Sequence, residues 1–246
     1  AAATGQRVVV LEPHPPGGRA RCDRRDGFVL NRGPRALYLG GPGCRVLQGL
    51  GLELSAGGPP PSEGSSVVLG GRLHRAPDGP VGLARTTALS VREKVAFGQV
   101  LARVPRLDAG TLTGVSVASW LDDLGLRGTP RLLLEAYLRL ATYIDAPDLL
   151  DAGAAVANLQ LAIGAGVRYL DGGWQSIVDA LVATGGFEVR ALEARSVDPA
   201  RGNETVVVNT TAGPLRARSV VVASGTPTAA ATLLAGHAPE LHRVGP

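Results

Sequence analysis

Arg7-Val-Val-Val-Leu-Glu12, followed by Gly17-Gly18-Arg19-Ala20-Arg21 and then by Asn31-Arg32-Gly33-Pro34, is the stretch on which the fold turns. Val8 to Leu11 form an unbroken apolar run. A run without polar alternation is the pattern of a parallel strand covered on both faces. The run closes on an acid, Glu12, and in dinucleotide-binding βαβ folds a carboxylate at such a strand end holds ribose hydroxyls. Pro13, Pro15 and Pro16 stop the strand, and Gly17-Gly18 lets the backbone turn closely. In that fold the acid-bearing strand is the second of its unit, so the first strand and its Gly-rich turn are expected before Ala1. The chain holds no Met, which fits the same expectation of an internal stretch.

Composition narrows the class. With 246 residues, 45% hydrophobic and 19% charged, the chain can bury a sizeable core and is not of disordered composition. The net charge of +4 comes almost wholly from arginine, since Lys94 is the only lysine. Nucleic-acid binding would need basic clusters interleaved with aromatics. Arg19, Arg21, Arg24 and Arg25 make only a brief cluster and aromatics are 4% of residues, so no nucleic-acid partner is expected. Cys22 and Cys44 make neither a CxxC pair nor a disulfide framework, and a reducing cytoplasm is the default compartment. The longest apolar stretch, Ala154 to Val167, is broken by Asn158, Gln160, Gly164 and Gly166 and is too short to cross a bilayer. A peripheral membrane contact stays compatible with an apolar substrate.

Three blocks follow along the chain. Residues 1–66 open with the strand and continue with a short helix over Cys44 to Leu52, then a Gly/Pro/Ser loop from Ala56 to Ser66. Residues 67–165 begin with a hairpin turning at Gly70-Gly71. Helices follow: one capped by Ser90 with Glu93 completing a capping box, one over Ser116 to Leu124, one over Pro130 to Tyr143. Residues 166–246 return to strands: Gly172-Gly173-Trp174 opens a helix over Gln175 to Val182, and Phe187 to Arg190 is a short strand. Thr205 to Asn209 and Leu215 to Arg218 form a hairpin, and Val220-Val221-Val222 is a second unbroken apolar strand. The expected fold is α/β. It has a Rossmann-like, FAD/NAD(P)-binding parallel sheet assembled from 1–66 and 166–246, lacking its first strand and Gly-rich loop. A mostly helical substrate domain, 67–165, is inserted between them.

The order strand–Glu12, Gly17-Gly18-Arg19, Gly33-Pro34, Gly172-Gly173-Trp174 and Ala223-Ser224-Gly225 resembles the amine-oxidase, phytoene-desaturase and protoporphyrinogen-oxidase group of FAD-dependent oxidoreductases. The resemblance covers most of the chain and implies FAD as cofactor. It places Glu12 on the adenosine ribose and Gly17-Gly18 beneath the cofactor. Arg19 would lie near the pyrophosphate, whose oxygens suit a planar guanidinium. Four residues separate Glu12 from Gly17, where the family usually shows five. Gly33-Pro34 corresponds to the loop that nears the isoalloxazine ring. Ala194 stands at the family's adenine-contacting Val, and Ala223, Ser224 and Gly225 correspond to the strand-end Ala-Thr-Gly beside the cofactor. The family's C-terminal flavin-contacting segment would follow His242.

The activity so implied is hydride transfer from a substrate C–H to flavin N5, by desaturation or amine oxidation. The substrate is expected to be a small and apolar molecule, walled by Leu133, Tyr137 and Tyr143. No catalytic acid or base stands out, and oligomeric state is not legible. His14, His74, His237 and His242 form no HExxH, no GxSxG occurs, and Lys94 has no Gly-rich context, so metal, serine-hydrolase and Walker-loop chemistry have no support. Gly164-Ala165-Gly166 lacks the third glycine of a dinucleotide loop. Two alternatives stay open: a non-catalytic remnant or interaction module, and an NAD(P)-binding oxidoreductase, since Glu12 serves either ribose.

Overall fold

The computed structural model describes residues 2–57, 65–199, 205–234 and 237–243. In chain order the strands and helices are β1 (Val9–Leu11), β2 (Cys22–Arg25), β3 (Phe28–Asn31), β4 (Leu37–Tyr38), α1 (Pro42–Gly49) and β5 (Ala56–Gly57). Next come β6 (Ser66–Leu69), β7 (Arg72–Arg75), α2 (Pro80–Arg85), α3 (Val91–Arg103), α4 (Val117–Asp123), α5 (Gly128–Thr142) and α6 (Ala152–Gly164). The last are β8 (Val167–Leu170), α7 (Gln175–Thr184), β9 (Glu188–Arg190), β10 (Ala194–Asp198), β11 (Val206–Thr210), β12 (Gly213–Ala217) and α8 (Pro227–Leu233). Of the expected loop from Ala56 to Ser66, residues 58–64 lie outside the described residues.

The chain divides into two compact units. One joins Ala1–Arg21 to Ile177–Pro246, and the other is Cys22–Ser176. These cuts fall elsewhere than the 66/67 and 165/166 boundaries read from the sequence. Residues 22–57 and 166–176 are joined by the antiparallel pairing of β4 and β5 with β8, and Tyr38 Oη donates to Ala141 O of α5 at 2.8 Å.

In the first unit, β1 pairs in parallel with β9, Val9 opposite Glu188 and Leu11 opposite Arg190, so the two ends of the chain share a sheet. Among the described residues this parallel sheet has two strands. The expected burial of β1 on both faces is not found, and Val9 and Val10 are each 37% exposed. Val220-Val221-Val222 is likewise not a strand; it pairs with no strand among the described residues, and Val221 is 91% exposed. An apolar run holds as a strand only where backbone partners flank it. The antiparallel sheet β10–β11–β12 carries the buried Val197 and Val208, with α8 packed on β10.

In the second unit α2 to α6 form a helical core centred on Phe97, Leu121, Leu134 and Val156, all fully buried. Local signals set the helix starts. Ser90 Oγ accepts from Glu93 N at 3.4 Å while Glu93 Oε2 accepts from Ser90 N at 2.8 Å, a complete capping box on α3. Ser116 caps α4 through Ser119 N at 3.2 Å. Asp151 caps α6 through Ala154 N at 2.8 Å and also accepts from Gly114 N at 2.6 Å, tying the α4 approach to the α6 start. The Gly70-Gly71 turn joins β6 and β7 with φ of 55° and 74°, the left-handed pair that a two-residue hairpin requires. A second such turn, Asp26-Gly27 with φ of 52° and 82°, joins β2 to β3; this hairpin was not anticipated, though Asp-Gly is its ordinary signature.

The backbone N–H groups of Ala154 and Gly114 hold the Asp151 carboxyl below the usual carboxylate range. Its contribution to stability is therefore full above the unfolded value near 3.8 and fades as pH falls through the lowered folded value. Urea unfolding of Asp151→Asn should lose stability against the parent at pH 7, and the gap should begin to narrow as pH falls past 3.8 and close only below the lowered folded value.

Candidate functional site

Three segments singled out in the sequence meet in the first unit. The N–H of Glu12 donates to Arg190 O at 3.0 Å, one more rung on the parallel ladder, so its side chain leaves at the carboxyl end of β1. Ligands of open α/β sheets bind at that end. Glu12 is partly buried, and its Oε1 accepts from His14 N at 3.0 Å, which holds the carboxylate over the start of the loop. Gly17 at φ 137° and Gly18 at φ 46° occupy backbone regions that L side chains rarely adopt. Gly17 O accepts from Ala20 N at 2.7 Å and closes a 3₁₀ turn over Gly18–Ala20. A Cβ at Gly18 would meet nothing within 4 Å, so the space beside Gly18 is open.

That turn sends Arg19 to the far end of the chain. Its Nη2 donates to Gly225 O at 3.3 Å across 206 residues of sequence, and Gly225 itself has φ 90°. Glu12, the Gly-Gly-Arg turn and the Ala223-Ser224-Gly225 segment are thus joined in one unit. Ala194 opens β10 opposite Thr210 and is partly buried in the same unit. Gly33 and Pro34 belong to the other unit, where both are exposed and Gly33 takes φ 101°.

In the second unit two motifs that are far apart in sequence form a single node. Asn31 Oδ1 accepts from Trp174 N at 2.9 Å and from Cys22 Sγ at 3.2 Å. Gly173, at φ 73°, is pressed against the β2–β3 hairpin, and a Cβ there would overlap Cys22 Sγ and lie 3.0 Å from Asn31 Oδ1. The Arg35 guanidinium sits 5.6 Å from the Trp174 ring centroid, a cation–π distance, and Trp174 Nε1 is buried without a hydrogen-bond partner. The Gly172-Gly173-Trp174 turn is therefore docked on the strand that leads into Gly33-Pro34. Asn31 is a site residue beyond those the motif order points to; its signal in the sequence is a polar side chain closing a strand two residues before a glycine.

The expected substrate wall is split. Leu133 lines a groove of about 400 Å³ beside α5. Tyr137 turns into the core, its ring 6.1 Å from that of Phe97, and burial pushes its phenol well above the ordinary value. Tyr143 ends α5 in the left-handed region at φ 59°, in electrostatic reach of Tyr38, Tyr169 and Arg35. Burial raises the Tyr38 and Tyr143 pKa values, so both phenols stay neutral at physiological pH. No group of three His, Cys, Asp or Glu among the described residues could hold a metal ion, and no described helix is long and apolar enough to cross a membrane.

A mixed helix–strand fold with an acid-ended parallel strand and an open diglycine turn is of the FAD-binding α/β kind. The profile of the flavin-containing amine oxidoreductases matches residues 2–243, and the chain belongs to that family. The family's cofactor is a flavin, FAD. An oxidoreductase from Methanosarcina mazei superposes with a TM-score of 0.70 at 17% identity, over 95% of this chain and 57% of its own. The PF1083 protein of Pyrococcus furiosus gives 0.66 at 18% identity, over 100% and 61%. A protein assigned as a protoporphyrinogen oxidase from Exiguobacterium sp. 255-15 gives 0.56 at 21%, over 98% and 59%. At these identities the likeness is one of fold, and the chain spans about three fifths of the length of each. No curated protein matches the chain significantly.

Gly173→Ala should cost about 2–3 kcal/mol in urea unfolding, combining a strained φ with overlap on the hairpin. Gly172→Ala, at φ 77° but with only Ser176 Cβ near at 3.8 Å, should cost about 1 kcal/mol. Asn31→Leu should cost about 1–3 kcal/mol by stranding its two donors, with a shift in the emission of Trp174.

Proposed function

We propose that the chain carries the cofactor and substrate lobes of an FAD-dependent oxidoreductase that removes hydride from a substrate C–H bond, with residues 1–66 and 166–246 as the cofactor part and 67–165 as the substrate part. The parallel sheet of this reading is Rossmann-like and begins with the β1–β9 pair. The observation that carries it is the meeting of Glu12, Gly17-Gly18-Arg19 and Gly225 within one unit.

The residues fit the cofactor. The Glu12 carboxylate is an acceptor at the carboxyl end of a parallel strand, where ribose hydroxyls can donate to it. The open side of Gly18 admits a close approach of the dinucleotide backbone, and the guanidinium of Arg19 is matched to pyrophosphate oxygens. Ala194, and Ala223 and Ser224 just before the Gly225 turn, would be further residues holding the cofactor on its adenosine side, and Gly33-Pro34 would serve the flavin ring. When bound, FAD supplies the hydride acceptor. The protein's own part is to hold the cofactor, orient the substrate and exclude water. The α3–α6 core of Phe97, Leu121, Leu134 and Val156 supplies a dry, rigid lobe for that purpose. The substrate is a small apolar molecule.

Titrating the chain into FAD and following the quench of flavin fluorescence should give saturable binding that NAD does not displace. Glu12→Gln, which removes a charged acceptor, should weaken it about tenfold or more. FAD binding that is absent, or unchanged in Glu12→Gln, would overturn the reading.

A further inference from the structure

The β6–β7 hairpin is a sheet of two strands among the described residues, so β6 has one neighbour and one free edge. Beside it lies a groove of about 400 Å³, walled on the far side by α5 and closed at one end by Ile144, Pro147 and Leu150. Val67, Val68 and Leu69 all line this groove, and no residue of β7 does. Side chains of a strand alternate between its faces, so three consecutive residues border one space when that space runs along the strand's edge. The groove therefore follows the edge of β6 that faces away from β7.

The register of the hairpin decides which backbone groups point there. Gly70-Gly71 closes on the Leu69–Arg72 pair, and Val68 stands opposite Leu73. In an antiparallel ladder hydrogen-bonded and non-bonded pairs alternate, and the pair that closes a two-residue turn is bonded. Counting back from the turn, Val67–His74 and then Ser65–Ala76 are bonded, and Ala76 N does donate to Ser65 O at 3.0 Å. Val68 takes a non-bonded position, so its N–H and C=O point outward along the groove. An unpaired strand edge is a template for a further strand. The floor beneath it is apolar and fixed, since Val67 and Leu69 pack against the core to which Leu133 and Leu138 belong. At the rim Val68 and Leu132 are each more than half exposed.

A small apolar molecule would cover the floor but leave the outward N–H and C=O of Val68 unmet once water is excluded, which is costly. A peptide backbone satisfies both groups while its alternate side chains reach the floor. The border of the groove carries both signs, and its Arg139 and Asp145 are mostly open to solvent, which suits the mixed charges of a polypeptide. Each of the solved structures that superpose on the chain also holds about two fifths more polypeptide than the matched part. We infer that β6 accepts an extended polypeptide strand along its free edge, with alternate apolar side chains of that strand seated in the groove against α5. The inference stands apart from the cofactor reading, and it gives Leu133 to a polypeptide contact rather than to the substrate.

The probe is a fluorescein-labelled synthetic peptide of alternating threonine and valine with a lysine at each end, and its anisotropy reports binding to the chain without FAD. Two control peptides keep every side chain but are N-methylated, one on the valine amides and the other on the threonine amides, so that each has lost the donors of one edge. The parent peptide should bind saturably, and at least one methylated form should bind about tenfold more weakly. Hydrogen exchange at the Val68 amide, read by NMR, should slow when the parent peptide binds. Val68→Pro removes the outward N–H at an edge position that tolerates proline, and should weaken binding about tenfold. Leu73→Thr, on the other strand and outside the groove, should leave binding unchanged. Should Val68→Pro unfold the chain, Ala136→Phe fills the groove from α5 without touching the hairpin and should weaken binding as well. No saturable binding, methylated peptides that both bind like the parent, an unprotected Val68 amide, or equal weakening in Leu73→Thr would overturn the inference.

Discussion

The parallel rungs between Val9–Leu11 and Glu188–Arg190, extended by the Glu12 N–H to the Arg190 carbonyl, are the constraint on which the cofactor reading depends. They tie together segments almost 180 residues apart. Such closure costs entropy that grows only logarithmically with loop length, and most of the chain between them is itself a folded unit, which shortens the effective loop. Once the rungs form, Glu12 has a defined exit from the sheet. The turn at Gly17-Gly18 can then deliver Arg19 to the carbonyl of Gly225. Neither contact has a local cause; each follows from which strand lies beside β1.

The helical unit is organised on a different principle. Its core is a cluster of apolar residues running from Leu89 to Leu159, in which α3 and α6 both pack on α5 and Tyr137 turns against Phe97. The polar work is done at the edges, where single side chains join segments remote in sequence. Asp151 holds both the start of α6 and the N–H of Gly114. Asn31 holds both Trp174 and Cys22. Gln160 donates to the carbonyls of Val104 and Leu107 from the middle of α6, satisfying the end of the 3₁₀ turn after α3. Each of these side chains joins two partners at once, and Gln160 spares part-buried carbonyls the cost of going unpaired.

The two motifs that the family resemblance drew together acquire a physical meaning from these edges. Gly172-Gly173-Trp174 is glycine-rich because its second glycine has no room for a side chain against the β2–β3 hairpin. Asn31-Arg32-Gly33-Pro34 leads with asparagine because that amide carries the hydrogen bond to the Trp174 N–H. Conformational demand at a diglycine is thus of two kinds in this chain. At Gly18 the demand is an unusual φ with open space beside it, and at Gly173 it is an unusual φ with a neighbour in contact.

Local chemistry was legible in the amino-acid sequence. The Ser90–Glu93 capping box, the Gly70-Gly71 turn and the Glu12 strand end all follow from interactions between residues a few positions apart, which sequence spacing encodes directly. The β2–β3 hairpin was legible too through Asp26-Gly27, although that signal went unread. What tertiary structure alone decided is pairing across distance: that β1 lies beside β9, that Arg19 reaches Gly225, that Asn31 meets Trp174, that Tyr137 turns inward while Val220-Val221-Val222 finds no ladder. An apolar triplet reads the same whether or not a neighbour flanks it, because a strand is stabilised by backbone partners that its own side chains do not specify.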